Sequence, residues 1–191
     1  MRGFTLVEII VALGIFAFLA VAAGTFFVSG FRMNDRVWDQ LSTQADMRRV
    51  FEQFRRDARE LREGADGSSP IERAAADEFI FFADVLGDNT PERVRYTRLD
   101  TALVRGITAA SGTPPAYATS TESVVTLAHT IANGAQSIPV FSYFDAAATT
   151  TQTSLAEPVS STLVHVIRLR LITDMDTADA DEEMLVTVRN R

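Results

Sequence analysis

The sequence predicts an α+β protein: a long N-terminal helix, half membrane-spanning and half amphipathic, packed on a mainly antiparallel β-sheet domain. Three observations predict it. From Phe4 to Phe31 the only charged side chain is Glu8. Beyond Phe31 apolar residues recur at three- and four-residue steps as far as Leu61. After Pro70 that spacing gives way to short β-branched and aromatic runs separated by turn residues.

The apolar run comes first. It is 28 residues long, whereas a bilayer needs about 20. A secretory signal is the competing explanation, but its apolar region is roughly 7–15 residues and ends at a small-x-small cleavage site. Ala20-Val21-Ala22 has that form yet lies in the middle of the run. Only Arg2 precedes the run, which favours a cytoplasmic N-terminus. Glu8 sits one helical turn inside, and a charge in lipid is costly enough to mark a functional site.

The amphipathic part follows without a proline, since none occurs before Pro70. Val37, Leu41, Met47, Phe51, Phe54, Ala58 and Leu61 form one face. Arg48, Arg49, Glu52, Arg55, Arg56, Asp57, Arg59 and Glu60 are assigned to the opposite, solvated face. Arg48–Glu52 and Glu52–Arg56 have the spacing of i,i+4 ion pairs. Glu63-Gly64 and Asp66-Gly67-Ser68-Ser69-Pro70 stop the helix. A continuous helix over 4–61 would be about 85–90 Å long; a break near Gly24 or Gly30 stays open. The apolar seam suits either a core against the sheet or contact with neighbouring helices.

Strands are predicted at 78–83, 93–99, 102–105, 138–144, 163–172 and 184–188. Asp100-Thr101 makes a tight turn between the second and third. Residues 108–123 and 146–153 are Ser/Thr/Ala-rich and read as mobile loops. Residues 174–183 join the last two strands. The segments are therefore 1–3, 4–31, 32–63 and a β-rich domain over 64–191.

Composition narrows the function. The net charge is −7, with 18 basic residues, all Arg. An acidic chain is a poor nucleic-acid binder, because such binding needs basic surface to displace counterions. The helix arginines are interleaved with acids, as on a solvated face. With no cysteine there is no disulfide, no Cys-ligated zinc and no thiol chemistry. His129 and His165 stand alone, and no catalytic triad, metal-ligand spacing or phosphate loop is present. The run holding Asp174, Asp176, Asp179 and Asp181 suggests calcium through its closely spaced carboxylates. It fits the EF-hand pattern poorly, with Ala178 at a ligand position and no Gly, so a solvated loop is the other reading.

Gly3-Phe4-Thr5-Leu6-Val7-Glu8, followed by an unbroken apolar helix, resembles the start of the type IV prepilin class: major and minor pilins and the pseudopilins of type II secretion. The resemblance covers about the first 30 residues. A second resemblance, to the J-type minor pseudopilins and PilW-like minor pilins, runs along the chain. It is carried by Phe54-Arg55-Arg56-Asp57-Ala58-Arg59-Glu60-Leu61, Arg93-Val94-Arg95-Tyr96, Leu103-Val104-Arg105, Val140-Phe141-Ser142-Tyr143-Phe144-Asp145 and Val186-Thr187-Val188-Arg189-Asn190, in that order. The chain departs from the class in its three-residue leader, which leads us to expect a start further upstream. It also lacks the proline that many major pilins carry in the membrane segment, and the C-terminal disulfide of many type IV pilins.

The resemblance implies a structural subunit and no enzyme. A membrane prepilin peptidase would cut between Gly3 and Phe4 and methylate the new Phe4 amine. Glu8 would then pair with the Phe4 ammonium of a neighbouring subunit. At about 4 Å such charges attract by about 4 kcal/mol at an effective dielectric near 20. Glu8 reaching the interface, or pairing with its own Phe4 amine, is the alternative. Implied partners are sibling subunits, the peptidase, an inner-membrane assembly platform and membrane lipid. The implied location is a single-pass inner-membrane precursor with an extracytoplasmic C-terminal domain, then a pilus or pseudopilus. A membrane-anchored extracytoplasmic binding protein and a DNA-uptake pilin are the rival readings, the latter disfavoured by the acidic charge. No cofactor beyond the calcium candidate is implied.

Overall fold

A helix built to lie along a sheet needs one continuous apolar edge, and α1 (Leu6–Arg59) supplies it in its last four turns. The structure is a computed structural model that describes residues 6–146, 154–155, 159–173 and 180–188. Val37 and Leu41, the first residues of the predicted stripe, lie where α1 is described by its backbone alone. The chain forms two compact units, 1–43 and 44–191. In the first, α1 passes through Gly14, Gly24 and Gly30 without interruption.

In the second unit, Met47, Val50, Phe54, Ala58 and Leu61 are buried. Val50 completes a stripe that the sequence pattern lacked. The helix stops at Arg59, where the Glu60 N–H bonds the Asp57 carbonyl at 3.1 Å. Leu61, expected in the helix, is extended and bridges Ala83, while the Arg62 N–H donates to the Phe82 carbonyl at 2.9 Å.

Eight strands follow: β1 (Ile71–Ala74), β2 (Glu78–Ala83), β3 (Glu92–Leu99), β4 (Ala102–Thr108), β5 (Ser123–Ala128), β6 (Phe141–Phe144), β7 (Val166–Thr173) and β8 (Ala180–Thr187). They form two antiparallel sheets where one was expected, ordered β1-β2-β3-β4-β5 and β6-β7-β8. The predicted β3–β4 turn is present: Leu99 pairs with Ala102 across Asp100-Thr101, and Asp100 takes φ 55°, which an Asp tolerates. Residues 138–140 are not strand. Pro139 has no N–H for a ladder, so pairing begins at Phe141. Leu163 belongs to a 3-10 turn (Ser161–Leu163). Asp181, Glu182 and Glu183, expected in a connector, lie in β8 because Asp181 and Glu183 face the β7 arginines.

Aromatic rings make the core. Phe54 lies edge-on to Tyr96 at 5.1 Å and contacts Phe79 and Phe141 at 6.0 and 5.8 Å. One helix side chain therefore touches both sheets. The sheets are also joined by the backbone. The Phe141 N–H donates to the Ala76 carbonyl at 2.8 Å, and the Tyr143 hydroxyl donates to the Ala75 carbonyl at 2.9 Å. Asn133, wholly buried, donates to the Arg170 carbonyl and accepts from the Ile172 N–H, both at 2.9 Å.

Asp57 is the main correction. Its spacing placed it on the solvated face, yet it is 2 % exposed. It accepts from the Tyr96 hydroxyl and Arg105 Nε, each at 2.6 Å, and from Gln53 Nε2 at 2.8 Å. A buried carboxylate survives only when paired and hydrogen-bonded, and β3 and β4 supply both conditions. Burial, and then the Asp57 charge, push the Tyr96 hydroxyl well above its ordinary range, so it stays a donor. On the same helix, Glu52 pairs with Arg55 and Asp46 with Arg49, at i,i+3 spacing.

The opposite face of the five-stranded sheet is covered by polar pairs and by one aromatic clasp. Arg95 is bidentate to Glu122 at 2.8 and 2.6 Å, and Arg93 to Glu72 at 2.6 and 2.9 Å. Glu122 reaches Arg95 by crossing β4 at Gly106, where any Cβ would overlap its carboxylate. Tyr117 covers Phe82, and its hydroxyl accepts from the Ala65 N–H and donates to the Pro91 carbonyl.

Two predictions follow from these contacts. Asp57→Ala leaves the Arg105 charge and Tyr96 hydroxyl without their buried acceptor and should cost about 3–5 kcal/mol. Tyr96→Phe keeps the ion pair and should cost less, about 1.5–3 kcal/mol. Denaturant unfolding of the detergent-solubilised chain measures both, and equal losses would contradict the hub role of Asp57. The second concerns acid. Hydrogen bonds from Arg95 hold the Glu122 carboxyl below the ordinary glutamate range. Its contribution is complete above that range and is lost as pH falls through the lowered folded value. Burial raises the Glu92 carboxyl above the ordinary glutamate range instead, so its contribution is present in acid and lost as pH rises through its folded value. Comparing wild type with Glu122→Gln isolates the first effect: wild type should lose stability on acidification more steeply, and parallel pH profiles would refute the coupling.

Candidate functional site

The stretch Leu6–Phe27 begins where α1 begins, and it is apolar on every side. Over its most apolar 18 residues the mean hydropathy is 2.7, and every residue of the stretch is exposed. Leu6, Phe18 and Phe26 are each at least 74 % exposed. A helix in water hides such side chains on one face. Here all faces offer them, as in a segment whose solvent is lipid or other apolar helices. The length exceeds the roughly 20 residues that cross a bilayer. Thr25, the one hydroxyl residue of the stretch, donates back to the Ala22 carbonyl at 2.8 Å and so satisfies itself within the helix.

Glu8 is the only charged residue in this stretch and lies in the first turn of α1. At a helix N-terminus the backbone N–H groups point outward and carry partial positive charge, which favours a carboxylate there. Gly3 and Phe4, the predicted cleavage pair, lie outside the described residues. So do Asp174, Asp176 and Asp179 among the calcium candidates.

The fourth calcium candidate, Asp181, is on β8. Its two oxygens accept from Arg170 Nε and Nη2 at 2.8 and 2.5 Å, and this pairing lowers its carboxyl below the ordinary range. Arg170 thus already neutralises Asp181. Among the described residues no group of three or more His, Asp or Glu is placed to hold a metal ion. His129 is exposed; His165 is half-buried, and its backbone N–H donates to the Phe144 carbonyl at 2.8 Å. They lie on different segments, before β6 and before β7. Arg48, Arg49, Arg56 and Arg59 are exposed on α1, alternating with Asp46, Glu52 and Glu60.

Two further features of the second unit escaped sequence reading. β5 follows a Ser/Thr-rich loop and was absorbed into it at Ser123. An open cleft of about 1080 Å³ lies at the end of α1, lined by residues 58–63 and Thr187. Its lining alternates Arg59, Glu60, Arg62 and Glu63, and Arg62 pairs with Glu60 at 3.6 Å, so it carries no net charge to select a ligand.

A family model described as the prokaryotic N-terminal methylation motif matches residues 1–24. That motif marks the type IV prepilin class and indicates a pilin-like precursor that a prepilin peptidase processes. It points to a structural subunit that assembles with other pilins and is consistent with a membrane anchor. The match ends before the amphipathic part of α1 and takes in none of the β-domain. Comparison with curated proteins gave no match.

Proposed function

We propose that the chain is a minor subunit of a type IV pilus or type II secretion pseudopilus, built into a tip or initiation complex with sibling subunits. The observation that carries this reading is Glu8: one carboxylate in the first turn of a helix that is otherwise apolar, inside the N-terminal methylation motif. A neutral residue would be cheaper in lipid. Cleavage between Gly3 and Phe4 creates a new ammonium four residues before Glu8, and methylation of that amine keeps its positive charge.

Before assembly Leu6–Phe27 holds the precursor in the inner membrane, with residues 44–191 on the extracytoplasmic side. On assembly the same side chains exchange lipid for the helices of neighbouring subunits. Apolar contact supplies adhesion but little register, because it is non-directional. A Glu8–Phe4 pair between subunits fixes the axial offset. The same pair is screened in water and strong in an apolar filament core, which favours the assembled state. Assignment as a minor subunit rests on the order of the J-type and PilW-like resemblances along 54–190.

Glu8→Ala tests the pairing. Membrane insertion, assayed by alkaline extraction, should be unchanged, because the substitution raises the apolarity of the span. Recovery of the chain in the sheared filament or pseudopilus fraction should fall to a small residue of wild type. Normal recovery of Glu8→Ala would exclude an inter-subunit role for this carboxylate.

A further inference from the structure

Residues 84–91, between β2 and β3, are fastened mainly by carboxylates. Asp84 accepts from the Gly87 and Asn89 N–H groups at 2.8 and 3.1 Å, and Asp88 accepts from the Thr90 N–H at 2.8 Å. Glu92, the first residue of β3, accepts from the Val85 and Leu86 N–H groups at 2.9 and 3.2 Å. Asp88 is exposed and Asp84 half-buried, but Glu92 is only 1 % exposed. Among the described residues no cation pairs with it. Arg62, on the segment after α1, turns to Asp84, Asn89 and Glu60. Arg93, next along β3, turns to Glu72. Tyr117 approaches from the β4–β5 connection. Its hydroxyl donates to the Pro91 carbonyl at 2.7 Å, and the charges of Asp66 and Glu92 both reach it. Glu92 is therefore surrounded by acids, a neutral phenol and an arginine engaged elsewhere.

A buried carboxyl beside like charges and without a cation favours its neutral form. The geometry accommodates that form. Both N–H groups converge on one oxygen, Oε2. A neutral carboxyl accepts them there and carries its proton on Oε1, so protonation leaves both bonds in place. We propose that Glu92 is a proton-controlled latch on residues 84–91, closed while its carboxyl is neutral and loosened when it ionises. Burial is the largest effect raising this carboxyl; the Val85 and Leu86 N–H groups oppose it, and the Asp88 and Asp84 charges add to it. Opening the connection hydrates the carboxylate and separates it from those acids. The open form then titrates at the ordinary glutamate value and the closed form above it. Rising pH draws the connection open between the two values, and the effect is complete above the higher one. Opening releases Leu86, 62 % exposed, from Glu92. It also releases Arg62, which lines the cleft at the end of α1, from Asp84 and Asn89. One proton thus sets the surface at this end of the β-domain.

Hydrogen–deuterium exchange of the full-length, detergent-solubilised chain tests the latch, read by mass spectrometry on the peptide holding residues 84–91. After correction for intrinsic exchange, wild-type protection should fall as pH rises, by up to about tenfold per pH unit, and then level off. Glu92→Gln keeps an acceptor oxygen for the two N–H groups and cannot ionise, so its protection should stay level over the same range. Level protection in wild type, or the same fall in Glu92→Gln, would overturn the proposal. Carbon-13 titration of the side-chain carboxyls in wild type is a second readout that needs no variant. Glu92 should titrate above the ordinary glutamate range; titration within or below that range would also overturn the latch.

Discussion

One helix has to satisfy two solvents, and the rest of the molecule follows from that constraint. Over Leu6–Phe27 α1 is apolar on all sides and unburied. From Met47 it is apolar on one side only, and that side is covered by two sheets. The transition needs no break in the backbone, because intrahelical hydrogen bonds satisfy the main chain in lipid and in water alike. Fixing the sheets to the second half is then a matter of shape and of one charge. Phe54 sets the packing by touching Phe79, Tyr96 and Phe141. Asp57, one turn further on, locks rotation and register through Tyr96 and Arg105. Apolar packing alone would tolerate a slide along the helix; a carboxylate that must find a hydroxyl and a guanidinium does not.

The two charged positions on α1 that matter most are thus alike in their physics. Glu8 and Asp57 are both carboxylates in places that disfavour charge. Asp57 is compensated within the fold, by groups on β3 and β4. For Glu8 we propose a further partner, the Phe4 ammonium of a neighbouring subunit.

Much of this was legible in the sequence, and the failures have identifiable causes. The apolar run, the α1 stripe and the β3–β4 turn were readable because each rests on local periodicity or turn chemistry. Asp57 was not, because helical spacing cannot distinguish a solvated acid from one facing a tyrosine and an arginine 39 and 48 residues away. Leu61 continued the stripe and was read as helix, but a tertiary bridge to Ala83 claimed it. β1 is four residues with two charges at its centre, and β5 lay behind a Ser/Thr-rich loop. Division into two sheets depends on long-range joints such as Asn133 to β7, which have no local signature. At the N-terminus the motif was plain in the residues because it is a linear signal carried by consecutive positions.

We propose that the N-terminal segment is processed for assembly and does more than anchor the protein. Intact-mass and N-terminal peptide mass spectrometry of the protein from its host measures this directly. The expected product is a mature chain that begins at Phe4, lacks residues 1–3 and carries one added methyl on the Phe4 amine. A chain that retains Gly3, or one cleaved after Ala22 in the manner of a secretory signal, would contradict it.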